Sequence, residues 1–274
     1  MIVLTPLKKF QFPVHAECIN PDVFQGKSVK EIAALAVWEG NKKRKLGDLF
    51  KIEETPAKTP DITINGDATE VRRVGQGMKN GEIVINGNAG MHLGEKMAGG
   101  KITVNGNANG WTGSSMKKGL IEIHGDASDY LASPYRGSTA GMRGGTIVVD
   151  GNVGSDSGCY LRGGTIIVKG NAGPFLGFHI SKGVIYVEKN AGNRLGASMT
   201  GGKIVVSGAV DELMPTFTVN AVKKKVKIDD TFKAEGPFYA FLGDLAEHGN
   251  GKLFVSQPSN PQSVSYTHLR AHET

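Results

Sequence analysis

A chain of 274 residues with 39% hydrophobic content can fill a core and is long enough for one large domain or two ordinary ones. Its 39 glycines are roughly twice the usual ~7%, yet there is no Gly-X-Y period and only 11 prolines, which excludes collagen, while regularly spaced Ile and Val argue against a disordered linker. A net charge of +6 admits an acidic partner or nucleic acid and specifies neither.

No apolar run approaches the ~18 residues of a membrane span, and MIVLTPLKKFQF carries no basic segment ahead of its apolar residues. A cytoplasmic protein without a membrane partner is therefore expected. Cys18 and Cys159 are far apart and in unlike settings, which suits reduced structural thiols better than a disulfide framework or a CxxC metal site.

In chain order, residues 1–60 read as an N-terminal flank and cap. SVKE at 28–31 is a capping box ahead of IAALAVW, whose β-branched and aromatic end suits a strand as well as a helix. GNKKRKLGDLF follows as a turn leading into another strand.

Residues 61–210 are periodic. The residue that closes each short apolar run falls at 66, 87, 106, 125, 151, 170, 189 and 208, in steps of 21, 19, 19, 26, 19, 19 and 19. It is glycine everywhere except Lys189. On the same offsets, one apolar column is Ile62, Ile83, Ile102, Ile121, Ile147, Ile166, Ile185 and Ile204, and a second is Ile64, Ile85, Val104, Ile123, Val149, Val168, Val187 and Val206. Met78, Met97, Met116, Met142, Leu161, Ile180 and Met199 form a third, and Gly81, Gly100, Gly119, Gly145, Gly164, Gly183 and Gly202 recur between. The consensus G-x-x-M-x-x-G-x-I-x-V-x-G places 13-residue units at 75–87, 94–106, 113–125, 139–151, 158–170, 177–189 and 196–208.

The Ile-x-Val alternation turns both apolar residues to one face of a short strand, with Thr103, Glu122 and Tyr186 facing out. So short a strand cannot bury its face alone, but stacked units bury it continuously at ~4.8 Å spacing. The expected fold is all-β: a right-handed parallel β-helix of about seven to eight 19-residue coils, with mixed capping segments at both ends. The repeated glycines suit sharp corners where φ becomes positive. Asn88, Asn107, Asp126, Asn152, Asn171 and Asn190 suit a side-chain ladder up the stack.

Residues 126–138, DASDYLASPYRGS, replace the usual six-residue spacer with thirteen. Insertions in solenoids bulge from one face, and Tyr130, Tyr135 and Arg136 are residue types favoured at interfaces, so these three are the candidate partner contact. Residues 211–258 lose the period and read as a C-terminal cap or docking segment; 259–274 read as a disordered or non-native tail.

Catalytic chemistry finds little support. His92, His124 and His179 occupy different places in their units and are read as surface or corner residues, while Glu82, Glu95, Glu122, Asp150, Asp156 and Glu188 are scattered singly. Asp156, Ser157 and Cys159 have no histidine nearby in sequence or register to activate a nucleophile. No catalytic, cofactor-binding or metal residue is assigned. The basic runs Lys42–Lys45 and Lys223–Lys225 lack stacking aromatics or a nucleic-acid motif; solvated turns or acidic-partner contacts, not nucleic-acid binding, are expected.

With these units in view, GQGMKNGEIVING (75–87), GEKMAGGKITVNG (94–106), GCYLRGGTIIVKG (158–170) and GASMTGGKIVVSG (196–208) resemble the C subunit of formylmethanofuran dehydrogenase, as does WEGNKKRKLGDLF before the repeat. The repeat is also similar to the C-terminal structural domain of glutamate synthase large subunits and to the C subunit of bacterial formyltransferase/hydrolase complexes. Thr139, where a unit would begin with glycine, and Lys189 are the departures. The first resemblance implies a scaffold subunit, without an active site of its own, of the archaeal oxidoreductase complex that reversibly converts carbon dioxide and methanofuran to N-formylmethanofuran in methanogenesis. It implies that molybdopterin with tungsten or molybdenum, iron–sulfur clusters and zinc lie on the other subunits, its partners. A stand-alone β-helix transferase or lyase is the competing enzyme reading.

Overall fold

A computed structural model describes residues 1–263. The protein is mostly β, and its centre is one sheet of thirteen strands. Eight of them, Ile62–Asn65, Glu82–Asn86, Ala98–Val104, Lys118–Ile123, Arg143–Val149, Arg162–Val168, Lys182–Val187 and Lys203–Val206, pair in parallel with their neighbours in chain order. Register follows the period: Ile83 opposes Ile102, Ile121 opposes Ile147, and Ile185 opposes Ile204. Every member of the isoleucine column is 0% exposed, as is the methionine column from Met78 to Met199. A second line of parallel bridges joins Ala68, Ala89, Ala108, Ala127, Val153, Ala172, Ala191 and Val210, so consecutive units touch on two sides.

Both apolar columns continue into the flanks. Ile2 and Leu4 of strand Ile2–Pro6 oppose Ile62 and Ile64, and Leu253 and Val255 of strand Gly251–Ser256 oppose Ile204 and Val206. Antiparallel strands close each end: Phe50–Glu54 on one side, then Lys233–Gly243 and Thr218–Lys227 on the other. The outermost strands carry Lys51, Glu53 and Glu54 at one edge and Lys223, Lys224, Lys225 and Lys227 at the other, charges that discourage further strand addition.

The seven repeated glycines have φ from 74° to 104°. The lateral column is joined by hydrogen bonds in which the side-chain oxygens of Asn88, Asn107, Asp126, Asn152, Asn171 and Asn190 accept the backbone N–H of the next unit at 2.7–3.2 Å. A second ladder runs amide to amide through Asn65, Asn86 and Asn105.

Several details differ from the sequence expectation. The 28–39 segment is both helix and strand: Ser28 and Glu31 close the capping box on Val29–Ala33, and Ala36–Glu39 is extended. The basic runs are not turns. Lys42–Lys45 is a strand at the edge of a small sheet that runs Lys42–Lys45, Ala36–Glu39, Val14–His15, Val71–Arg72, and Lys223–Lys225 lie within Thr218–Lys227.

Tyr186 does point away from the main core, but it is buried in a second cluster with Val205, Phe238 and Phe254, because the C-terminal strands fold over that face. Residues 259–263, expected within the tail, belong to the fold: Asn260 is fully buried and donates to the carbonyls of Gly208 and Ser256 while accepting from Val210 N–H. Residues 264–274 lie outside the described residues.

The insertion also sits later than expected. Ala132 N–H donates to Thr112 O as Gly113 N–H does to Leu93 O, so Ala132 occupies the corner otherwise held by Gly94 and Gly113, at φ 60°. Met142 N–H then returns to Ala132 O, where Met116 returns to Gly113. The extra residues are therefore 133–139, and the unit drawn from Thr139 begins in fact at Ala132.

Candidate functional site

One line of turns carries side chains where the backbone would prefer none. Arg73, His92, Trp111, Tyr130, Asp156, Phe175 and Arg194 hold φ between 55° and 65°, a region costing a residue with a Cβ about 1–2 kcal/mol. The geometry is imposed by the stacking: Arg73, His92, Trp111, Tyr130, Asp156 and Phe175 each donate a backbone N–H to the carbonyl just before the next member. Glycine would relieve that strain, so each side chain here is held at a conformational cost.

Within this column His92 stacks on Trp111 at 5.5 Å and 11°, and Trp111 on Tyr130 at 4.7 Å and 6°. Tyr135, from the insertion, tilts across both His92 and Trp111 at 5.4 and 5.5 Å, and the Arg136 guanidinium lies 6.0 Å over the indole. Tyr130, Tyr135 and Arg136 are thus brought together, with Tyr135 54% exposed. A lower group stacks Tyr160 on His179 at 4.7 Å and sets Arg194 over Phe175.

Arg73, His92 and Trp111 were not legible as a group because they share a position and no chemistry; the 19-residue offset alone links His92 to Trp111. His92 is a corner residue but not a surface one, being 6% exposed. His124 is exposed and bonds Asp150 at 2.7 Å, and His179 lies in a neighbouring column, so the three histidines do not converge.

Glu95 anchors the upper end. Arg73 Nη1 bonds its Oε2 at 2.6 Å, and His92 Nδ1 lies 3.3 Å away, too poorly aligned for a hydrogen bond. The His92 ring beside it and then the Arg73 guanidinium hold the Glu95 carboxyl below the usual carboxylate range, against burial. The resulting stability is present above the ordinary glutamate pKa of about 4.3 and is lost as pH falls through the lowered value. Glu95→Gln is expected to cost about 1–3 kcal/mol at neutral pH by leaving the Arg73 guanidinium uncompensated. In thermal melts the gap from the parent protein should close below about pH 4; a pH-independent difference would refute this role.

The inner nitrogens of the stack, His92 Nδ1 and Trp111 Nε1, are buried without a hydrogen-bond partner. Burial, then Asp156, pushes the Cys159 thiol up to about 12, and burial raises Cys18 to about 11, so neither is a ready thiolate. Among the described residues no three His, Cys, Asp or Glu side chains converge as metal ligands. No helix among them is long and apolar enough to cross a membrane. The arrangement is one for contact and stacking.

Residues 63–235 match the GXGXG motif family, and the chain belongs to it. It is homologous over a third of its length to the C subunit of formylmethanofuran dehydrogenase. The molybdenum-containing form from Methanothermobacter thermautotrophicus is 48% identical over 91 residues, covering 33% of this chain and 23% of that protein. The tungsten-containing form from Methanothermobacter wolfeii is 44% identical over 95 residues, covering 34% and 35%. The matched stretch thus spans only about a quarter to a third of these relatives. Among solved structures, a chain of the formyltransferase/hydrolase complex from Methylorubrum extorquens, determined in complex with methylofuran, superposes with a TM-score of 0.81 at 29% identity, over 93% of this chain and 99% of that one.

Proposed function

We propose that this chain is the non-catalytic scaffold subunit of a formylmethanofuran dehydrogenase, the complex that interconverts carbon dioxide plus methanofuran with N-formylmethanofuran. The 44–48% identity to the C subunit of both metal forms carries the reading. In this proposal the sheet is one face of a right-handed β-helix of about seven to eight 19-residue coils between capping flanks. Tyr130, Tyr135 and Arg136 contact a partner, and pterin-bound tungsten or molybdenum, iron–sulfur clusters and zinc reside on other subunits.

The match along almost the whole of the formyltransferase/hydrolase chain favours one alternative, the equivalent subunit of that complex. Native purification from the source cells separates the readings. Elution with a tungsten- or molybdenum-containing subunit is expected; elution of the chain alone, with binding of a small substrate, would overturn the scaffold role.

A further inference from the structure

The outward face of the small sheet does not fit a free surface. Arg72, His15, Trp38 and Lys43 oppose one another in register across its four strands, forming a single row, and Trp38 is 49% exposed at its middle. The opposite face is core, with Val14, Val37 and Val71 buried. Two cations on that inner side are compensated, Lys8 and Arg44 lying 2.8 and 3.4 Å from the buried Glu39, while Lys42 at the strand end is not among the described residues. On the outer side the Lys43 and Lys45 ammonium groups and the Arg72 guanidinium have no carboxylate within 4.0 Å among the described residues. The acids nearby are Asp48, which accepts the Lys45 backbone N–H, and Glu17, 3.9 Å from His15 and 3.6 Å from Arg73.

Lysines on an edge strand are a common guard against strand addition, which accounts for Lys42–Lys45 but not for an exposed tryptophan inside the face. The row also runs on without a break. Strand Val71–Arg72 leads directly into Arg73, which heads the aromatic column and meets His92 through Glu95. Burial, together with Arg72, Arg73 and His92, depresses the pKa of His15 in spite of Glu17, consistent with an electropositive surface.

We propose that this face, from Lys43 across Trp38 to Arg72, docks an acidic polypeptide segment of a partner subunit, with Trp38 as its apolar anchor. The proposal rests on the subunit reading above. Charge complementarity selects the occupant: free cations flanking a half-exposed indole match carboxylates flanking an apolar residue, and interface energy concentrates on Trp and Arg.

The test uses the native complex, treated with a zero-length carbodiimide that joins lysine amines to carboxylates, and compares Lys43→Glu/Arg72→Glu and Trp38→Ala with Lys223→Glu/Lys225→Glu at the far edge. Cross-links from Lys43 or Lys45 to Asp or Glu of a co-purified subunit are expected. The first two variants should lose partner retention by about tenfold or more at moderate salt, with unchanged melting of the isolated chain. Full retention by both variants, or cross-links from Lys223–Lys225 and none from Lys43 or Lys45, would overturn the docking face while leaving the subunit reading intact. A chain that never associates overturns both, and nuclease-sensitive retention through this face would replace the acidic polypeptide with nucleic acid.

Discussion

Ile121→Asp is expected to destabilise the protein by about 5 kcal/mol or more, which is comparable to the whole stability of many domains. Ile121 is 0% exposed and sits in register between Ile102 and Ile147, so its neighbours above and below are hydrocarbon. The substitution removes an isoleucine's burial and leaves a carboxylate with no donor in reach, two costs of the same sign. Ile121→Val, which deletes one methylene, should cost only about 0.5–1.5 kcal/mol. Thermal and urea unfolding of the pair would measure the difference; an Asp variant that melts like the parent would place this position outside the core and break the register.

Glycine at the repeated corner is the second sensitive point. At Gly145 φ is 89°, and an added Cβ would lie 2.8 Å from the carbonyl oxygen of Gly119 and 2.7 Å from Met116 Cε. The methionine can move; the carbonyl is held in the stack. Gly145→Ala should therefore cost about 2–5 kcal/mol, combining left-handed strain with overpacking. Gly77 is the comparison, because its φ of 65° is equally left-handed but nothing lies within 4 Å of a Cβ there. Gly77→Ala should cost about 1–2 kcal/mol, the strain alone. Equal losses at the two positions would show that close approach of the chain has no part in selecting glycine.

How far the fold could be read from the sequence depended on whether a residue's role required one chemistry. Interior positions do: only an aliphatic residue fills the column from Ile62 to Ile204, and the period announces itself. The strands Ile2–Pro6 and Gly251–Ser256 extend those columns, with Ile2 and Leu4 at one end and Leu253 and Val255 at the other, but each joins the stack across a long excursion that breaks the 19-residue step. Their alternation was visible and their address was not.

The column of Arg73, His92, Trp111 and Tyr130 was hidden for the opposite reason. Its place is strictly periodic while its chemistry changes from unit to unit, the same corner holding Arg, His, Trp and Tyr in turn. Tyr130, Tyr135 and Arg136 stood out only because the insertion drew attention to them. Ala132 misled because it stands where glycine is usual, and Thr139 offered a false start for the unit.

The extra residues 133–139 have a consequence of a historical kind. Leu120 to Ile123 pair with Thr146 to Val149 as closely as neighbouring strands separated by the ordinary step, so the added length leaves no mark on the pairing beside it. A lineage can therefore rewrite the exposed tip, 135–139, while inheriting the stack unchanged, whereas Ser133, fully buried and accepting the Cys159 N–H, ties the base of the loop to the next unit. New contacts can be tried at that tip one at a time.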